Sequence, residues 1–91
     1  MKLSELCAIL KHYIADDDSV ANYKIMHADS GAVNESSIVF EANTGDCDSA
    51  ACLLEYEEEY AVYEVCHVEY GALRTSDHVE LNDKRKMIII C

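Results

Sequence analysis

Four histidines and five cysteines (Cys7, Cys47, Cys52, Cys66 and Cys91) are the residues of this chain whose types suit metal or nucleophilic chemistry. Cys47 and Cys52 are separated by four residues and Cys66 adjoins His67. A structural zinc site needs two close pairs of Cys or His ligands, and the chain has no second close pair, so no metal site is expected. A calcium loop starting at Asp46 would have carboxylates at positions 1, 3 and 12 (Asp46, Asp48, Glu57). It fails at position 5, which is Ala50, and at position 6, where Ala51 replaces the glycine that permits the sharp bend. Ser76-Asp77-His78 are neighbours in sequence, whereas a catalytic triad requires convergence in space. Cys66 and His67, read on a strand, point to opposite faces and make no Cys–His pair. No glycine-rich phosphate loop is present. The chain is therefore expected to have no enzymatic activity, metal or cofactor.

What remains is charge. Between Lys24 and Arg74, residues 25–73 carry eleven Asp and Glu and no Lys or Arg. The densest part is Leu53–Tyr70, which contains Glu55, Glu57, Glu58, Glu59, Glu64 and Glu69 among tyrosines. A net charge of −11 argues against direct nucleic-acid binding, which rests on Lys and Arg neutralising phosphates, and against anionic membranes for the same reason. It favours steering toward a basic protein surface. The rival explanation is that the acidity only keeps the protein soluble.

These residues need a scaffold, and 91 residues with 51% hydrophobic composition suffice for one domain spanning 1–91. Ser4 is placed to cap a helix from about Glu5 to Ala15, on which Leu3, Leu6, Cys7, Leu10, Tyr13 and Ile14 form one apolar stripe. Lys11 and His12 fall near its C-terminus, favourable to the helix dipole. Asp16-Asp17-Asp18-Ser19 then reads as a solvated loop. Residues 22–29 and Ser36–Ala42 read as strands separated by a turn at Asp29-Ser30-Gly31, with a second break at Asn43-Thr44-Gly45-Asp46. Residues 48–56 suit a short helix capped by Asp48 or Ser49, though a strand placing Glu55, Glu57 and Glu59 on one side fits too. Tyr60–Tyr70 reads as a strand ended by Gly71. A hairpin closes the chain, from His78–Leu81 through Asn82-Asp83-Lys84 to Arg85–Ile90. The expected fold is α+β: an N-terminal helix and a short second helix packed on a mainly antiparallel sheet of four to five strands. Lys84-Arg85-Lys86, the only basic cluster, reads as an internal counter-charge. The lack of a secretory pattern leads us to expect free thiols and a cytoplasmic location, in a bacterial host.

A strand advances about 3.3 Å per residue, and one DNA strand about 3.4 Å per phosphate along its axis. Carboxylates two residues apart on a strand, or at three- and four-residue steps on a helix, are therefore spaced on the scale of phosphates. Tyr56, Tyr60 and Tyr63 between them offer stacking surfaces, or simply pack on the sheet. In this combination the chain resembles the small acidic DNA-mimic inhibitors of bacteriophages and other mobile elements, including anti-restriction and anti-CRISPR proteins. Its nearest local likeness is to the uracil-DNA glycosylase inhibitors, whose Glu-Ser-Ile motif on a strand is echoed by Glu35-Ser36-Ser37-Ile38. The additional serine turns Ile38 to the other strand face. The resemblance implies that Glu35 and Ser36 imitate DNA backbone contacts in an enzyme's cleft. The expected binding set is Glu35, Asp46, Asp48, Glu55, Glu57, Glu58, Glu59, Tyr60, Glu64 and Glu69, facing the basic groove of a host DNA- or RNA-processing enzyme. The alternative is an acidic interaction or assembly module without mimicry. Under either reading a homodimer is compatible, with Met87–Ile90 pairing two copies if it lies at a sheet edge.

Overall fold

A computed structural model describes residues 1–29, 32–41, 46–69 and 71–91, with the backbone alone for Asp29, Asp46, Cys47, Glu58, Glu59 and Glu69. The turns expected at Ser30-Gly31 and Asn43–Gly45, and Tyr70, lie outside the described residues.

Helix α1 spans Leu3–Asp16 and buries Leu3, Leu6, Cys7 and Leu10, the stripe expected from their spacing. Its start differs from expectation: Ser4 is inside the helix and Lys2 holds the cap position. The first-turn N–H groups, which have no acceptor within the helix, find tertiary ones, Leu3 N–H donating to the Tyr63 carbonyl at 2.8 Å and Ser4 N–H to that of Ala61 at 3.1 Å. The Lys2 N–H donates to Glu5 Oε2 at 3.0 Å, the reciprocal half of a capping box. With those donors satisfied by backbone, a serine cap is unnecessary. Beyond the helix, Asp17 Oδ1 accepts from Ser19 N–H (3.0 Å) and Oγ (2.7 Å). The expected loop is thereby folded into a 3₁₀ turn, Asp18–Asn22, that buries Val20.

Eight strands follow among the described residues: β1 (Lys24–Asp29), β2 (Ala32–Glu35), β3 (Ile38–Phe40), β4 (Asp46–Cys47), β5 (Val65–Glu69), β6 (Ala72–Thr75), β7 (Val79–Asn82) and β8 (Met87–Ile90). Between β4 and β5 lies helix α2, Ala50–Tyr60. The strands divide into two four-stranded sheets, ordered β2-β1-β8-β7 and β4-β3-β5-β6. All neighbours are antiparallel except β1 and β8, which pair in parallel from Lys24↔Met87 to His27↔Ile90. The class is α+β with a mainly antiparallel strand arrangement; the strands are more numerous than four to five because the short β2, β4 and β6 also pair.

The position of β8 corrects the edge-strand expectation. It lies between β1 and β7, and Ile88, Ile89 and Ile90 are all buried, as an unbroken apolar run on a doubly covered strand should be. It offers no free edge to a second copy. The Glu35-Ser36-Ser37-Ile38 stretch does not begin one strand either. Glu35 ends β2 in one sheet and Ile38 opens β3 in the other, so the two serines turn the corner between sheets. Ile38 is fully buried there and unavailable as an exposed anchor.

Helix α2 is capped by Ser49, whose hydroxyl accepts from Cys52 N–H at 3.3 Å. It runs four residues past the expected end and takes Tyr60 from the strand reading. Tyr56 and Tyr60, one turn apart, pack on each other and on Phe40 of β3, with ring centroids 5.6–5.7 Å apart, which favours the extra turn. Residues 61–64 connect to β5, where Val65 and His67 face inward as the alternation requires. Leu53 on α2 packs with the α1 stripe, with Ile38, Phe40 and Val65 of one sheet, and with Ile25, Ile88 and Ile90 of the other, in one apolar core.

Candidate functional site

Helix α2 carries four of the glutamates and Tyr60, so helical rather than strand spacing sets the charge pattern. Glu55 and Glu58 are three residues apart and Glu55 and Glu59 four, the steps that place residues on one helical face. Glu55 is exposed. The side chains of Glu58, Glu59, Glu69 and Asp46 lie outside the described residues; their backbones are on α2, β5 and β4.

Several expected charges are not bare. Lys11 of α1 pairs with Glu57 across the helix–helix contact, so it serves that carboxylate instead of the C-terminal end of its own helix. The Met1 ammonium lies 2.9 Å from Glu64 Oε2, and Lys24 Nζ lies 2.6 Å from Glu35 Oε1. This last pair holds the Glu35 carboxyl below its usual range and the Lys24 ammonium above its own, in both cases by the shared hydrogen bond first and attraction second. The stretch without basic residues in sequence is therefore not free of cations in space. In the basic cluster, Lys86 lies 5.6 Å from the Tyr23 ring centroid and 3.5 Å from its hydroxyl, which donates to Asp83 at 3.0 Å.

Tyr60 is part-buried and stacks on Tyr63 as well as Phe40, with centroids 5.6 Å apart in each case. The tyrosine row thus packs against the core as a ladder, while Val62, between Tyr60 and Tyr63 in sequence, is 78% exposed. Asp48 and Glu35 form a separate group: both are exposed and, with Lys24, Ile25 and Ser36, line a cavity of about 140 Å³. Of the expected acids whose side chains are described, Glu55 and Glu57 lie on α2, Glu35 and Asp48 at the β1–β2 end, and Glu64 beside Met1.

The Asp46–Glu57 stretch considered for calcium is a strand followed by a helix, with Glu57 bound to Lys11. Among the described residues no three His, Cys, Asp or Glu side chains are placed to hold a metal, and Cys7, Cys52, Cys66 and Cys91 are free thiols. Ser76 does meet a histidine, but a different one. Its hydroxyl is 2.9 Å from His67 Nδ1, and His67 stacks on His27 with centroids 5.7 Å apart. Ser76 is 0% exposed, so no substrate reaches the hydroxyl, and the pair reads as a hydrogen bond satisfying buried polar groups. This contact was hidden because it needs the β5–β6 register. Gly71, at φ 79°, ends a two-residue connection between Glu69 and Ala72, which sets Ser76 opposite Val65, two residues from His67. A hairpin reading of Tyr70-Gly71 would have found it.

Fold and surface together define a small α+β protein with a strongly acidic exterior. Comparison with models of protein families, with curated proteins and with solved structures finds no match to this chain. Among the described residues no helix is long and apolar enough to cross a membrane.

Proposed function

We propose that this protein is a non-enzymatic inhibitor whose acidic face occupies the basic groove of a host DNA- or RNA-processing enzyme in the bacterial cytoplasm and excludes nucleic acid. The observation that supports it is the concentration of charge, −11 over 91 residues with eleven acids and no Lys or Arg between 25 and 73. Glu55, Glu58 and Glu59, spaced at three- and four-residue steps along α2, carry the main charge in this reading, with Asp46 and Glu69 adding to it and Asp48 contributing from the separate group at the β1–β2 end. Glu35, Glu57 and Glu64 contribute less, because each has a cation beside it. Attraction of this kind accelerates encounter and weakens with salt.

The test is affinity capture from a bacterial lysate with a salt-gradient elution. A nucleic-acid-binding enzyme should elute, compete with its own substrate for this protein, and be lost by the triple variant E55K/E58K/E59K while the variant stays folded. Retained inhibition by that variant would overturn the reading. The alternative, an interaction module whose acidity only solvates it, draws on the exposed Val62 and Leu73, 78% and 64% exposed. It calls for a salt-insensitive interface lost on V62D or L73D.

A further inference from the structure

The cavity at the β1–β2 end is built differently from the open face of α2. Its floor is formed by the nearly buried Ile25 and Ser36, and its rim by the exposed Lys24, Glu35 and Asp48. Ser36 is 8% exposed, and its hydroxyl is buried with no hydrogen-bond partner among the described residues, although its N–H donates to the Ile25 carbonyl at 3.1 Å. A buried, unpaired hydroxyl is costly and calls for a partner. At the rim, two carboxylates face one ammonium. The Lys24–Glu35 pair is solvent-exposed, with side chains 70% and 71% accessible, and pairs of that kind yield readily to a competitor. The Asp48 charge also reaches Lys24, which raises the ammonium further above its ordinary range.

The geometry points to this cavity as a receptor for one arginine side chain of the basic partner. The inference rests on the inhibitor reading above and names the chemistry of one contact within it. A guanidinium presents five N–H donors in a planar fork and accepts nothing, which matches two carboxylates and a hydroxyl. An anionic ligand would face both carboxylates. A lysine ammonium, a compact and strongly hydrated charge, uses a wall of spread acceptors less well. The apolar Ile25 side suits the arginine stem, which buries readily while its head stays polar. On entry the guanidinium takes Glu35 from Lys24, and the displaced ammonium turns to solvent.

The experiment uses the isotopically labelled protein alone, with N-acetylarginine amide as probe, followed by amide chemical shifts. Saturable shifts are expected at Ile25, Ser36 and Asp48, with half-saturation on the order of 10 mM for so small a ligand. N-acetyllysine amide should bind several-fold more weakly, and acetate should leave these amides unmoved. Asp48→Asn and Ser36→Ala should each weaken the arginine probe several-fold. Overturning results are shifts spread over the whole acidic surface without saturation, equal response to arginine and lysine, or unchanged binding in both variants. Failure here is separable from failure of the inhibitor reading. If E55K/E58K/E59K loses the captured enzyme while Asp48→Asn and Ser36→Ala keep it, the face stands and the cavity contact falls.

Discussion

Cys7 shows how much a single side chain depends on where its neighbours come from. On α1 it is one member of the apolar stripe; in the fold its thiol is fully buried and lies 3.6 Å from the Leu53 carbonyl of α2, to which it donates. Burial pushes the thiol up from 9.0 to about 11, and the charge of Glu57 adds to the rise while Lys11 opposes it. The folded state therefore holds this proton more tightly than the unfolded chain. The stabilisation is complete below about pH 9 and falls as pH rises toward 11, by about 2 kcal/mol. Urea midpoints at pH 8 and 10.5 should drop further in the natural protein than in Cys7→Ala, and an equal drop in both would refute the assignment. The exposed Cys91 should react with a thiol reagent under native conditions, whereas Cys7 should react only on unfolding.

At the scale of elements, helix α2 separates the residues that hold the fold from those free to meet a partner. Glu57 is bound to Lys11, so Glu57→Lys places two ammonium groups together at the α1–α2 contact and should destabilise by about 1 kcal/mol or more. Glu55 is exposed, and Glu55→Lys should change stability by less than about 0.5 kcal/mol while reducing partner binding. Urea denaturation of the two variants checks this; equal effects on stability would mean that the pair is not a structural contact. Elements with a strong local signature are legible in the sequence. Leu3, Leu6, Cys7 and Leu10 recur at helical steps, and the closing hairpin is marked by the Asn82-Asp83 turn residues between two apolar-bearing segments. Ala32–Glu35 and Ala72–Thr75 carry no such signal, being short and mostly exposed, and they form strands only because neighbours offer open edges. The end of α2 is not legible locally, because Tyr60 favours a strand by type, whereas contact with Phe40 and Tyr56 keeps it helical.

Across the whole molecule, the charge imbalance was readable from composition, but its arrangement was not. Lys11, Lys24 and the Met1 ammonium come from parts of the chain remote from Glu57 and Glu64 or separated from Glu35 by a strand pair, and local sequence carries no trace of those approaches. The cavity leaves no trace in local sequence for the same reason: Lys24, Ser36 and Asp48 meet only where β1, β2 and the start of α2 converge. The Met87–Ile90 run did contain its own clue, since four successive apolar residues without alternation indicate a strand covered on both sides. Its central place between β1 and β7 implies that removing residues 87–91 should abolish cooperative unfolding, rather than trim an edge. A sharp urea transition in that truncation would contradict it. The same placement bears on biosynthesis. A ribosome delivers β1 and β2 early, yet β1 must keep its inner hydrogen-bonding side vacant until Met87–Ile90 has been synthesised about sixty residues later. The nascent chain therefore carries a sticky, incomplete ribbon while the intervening elements are made, and protection against aggregation is needed most over that interval.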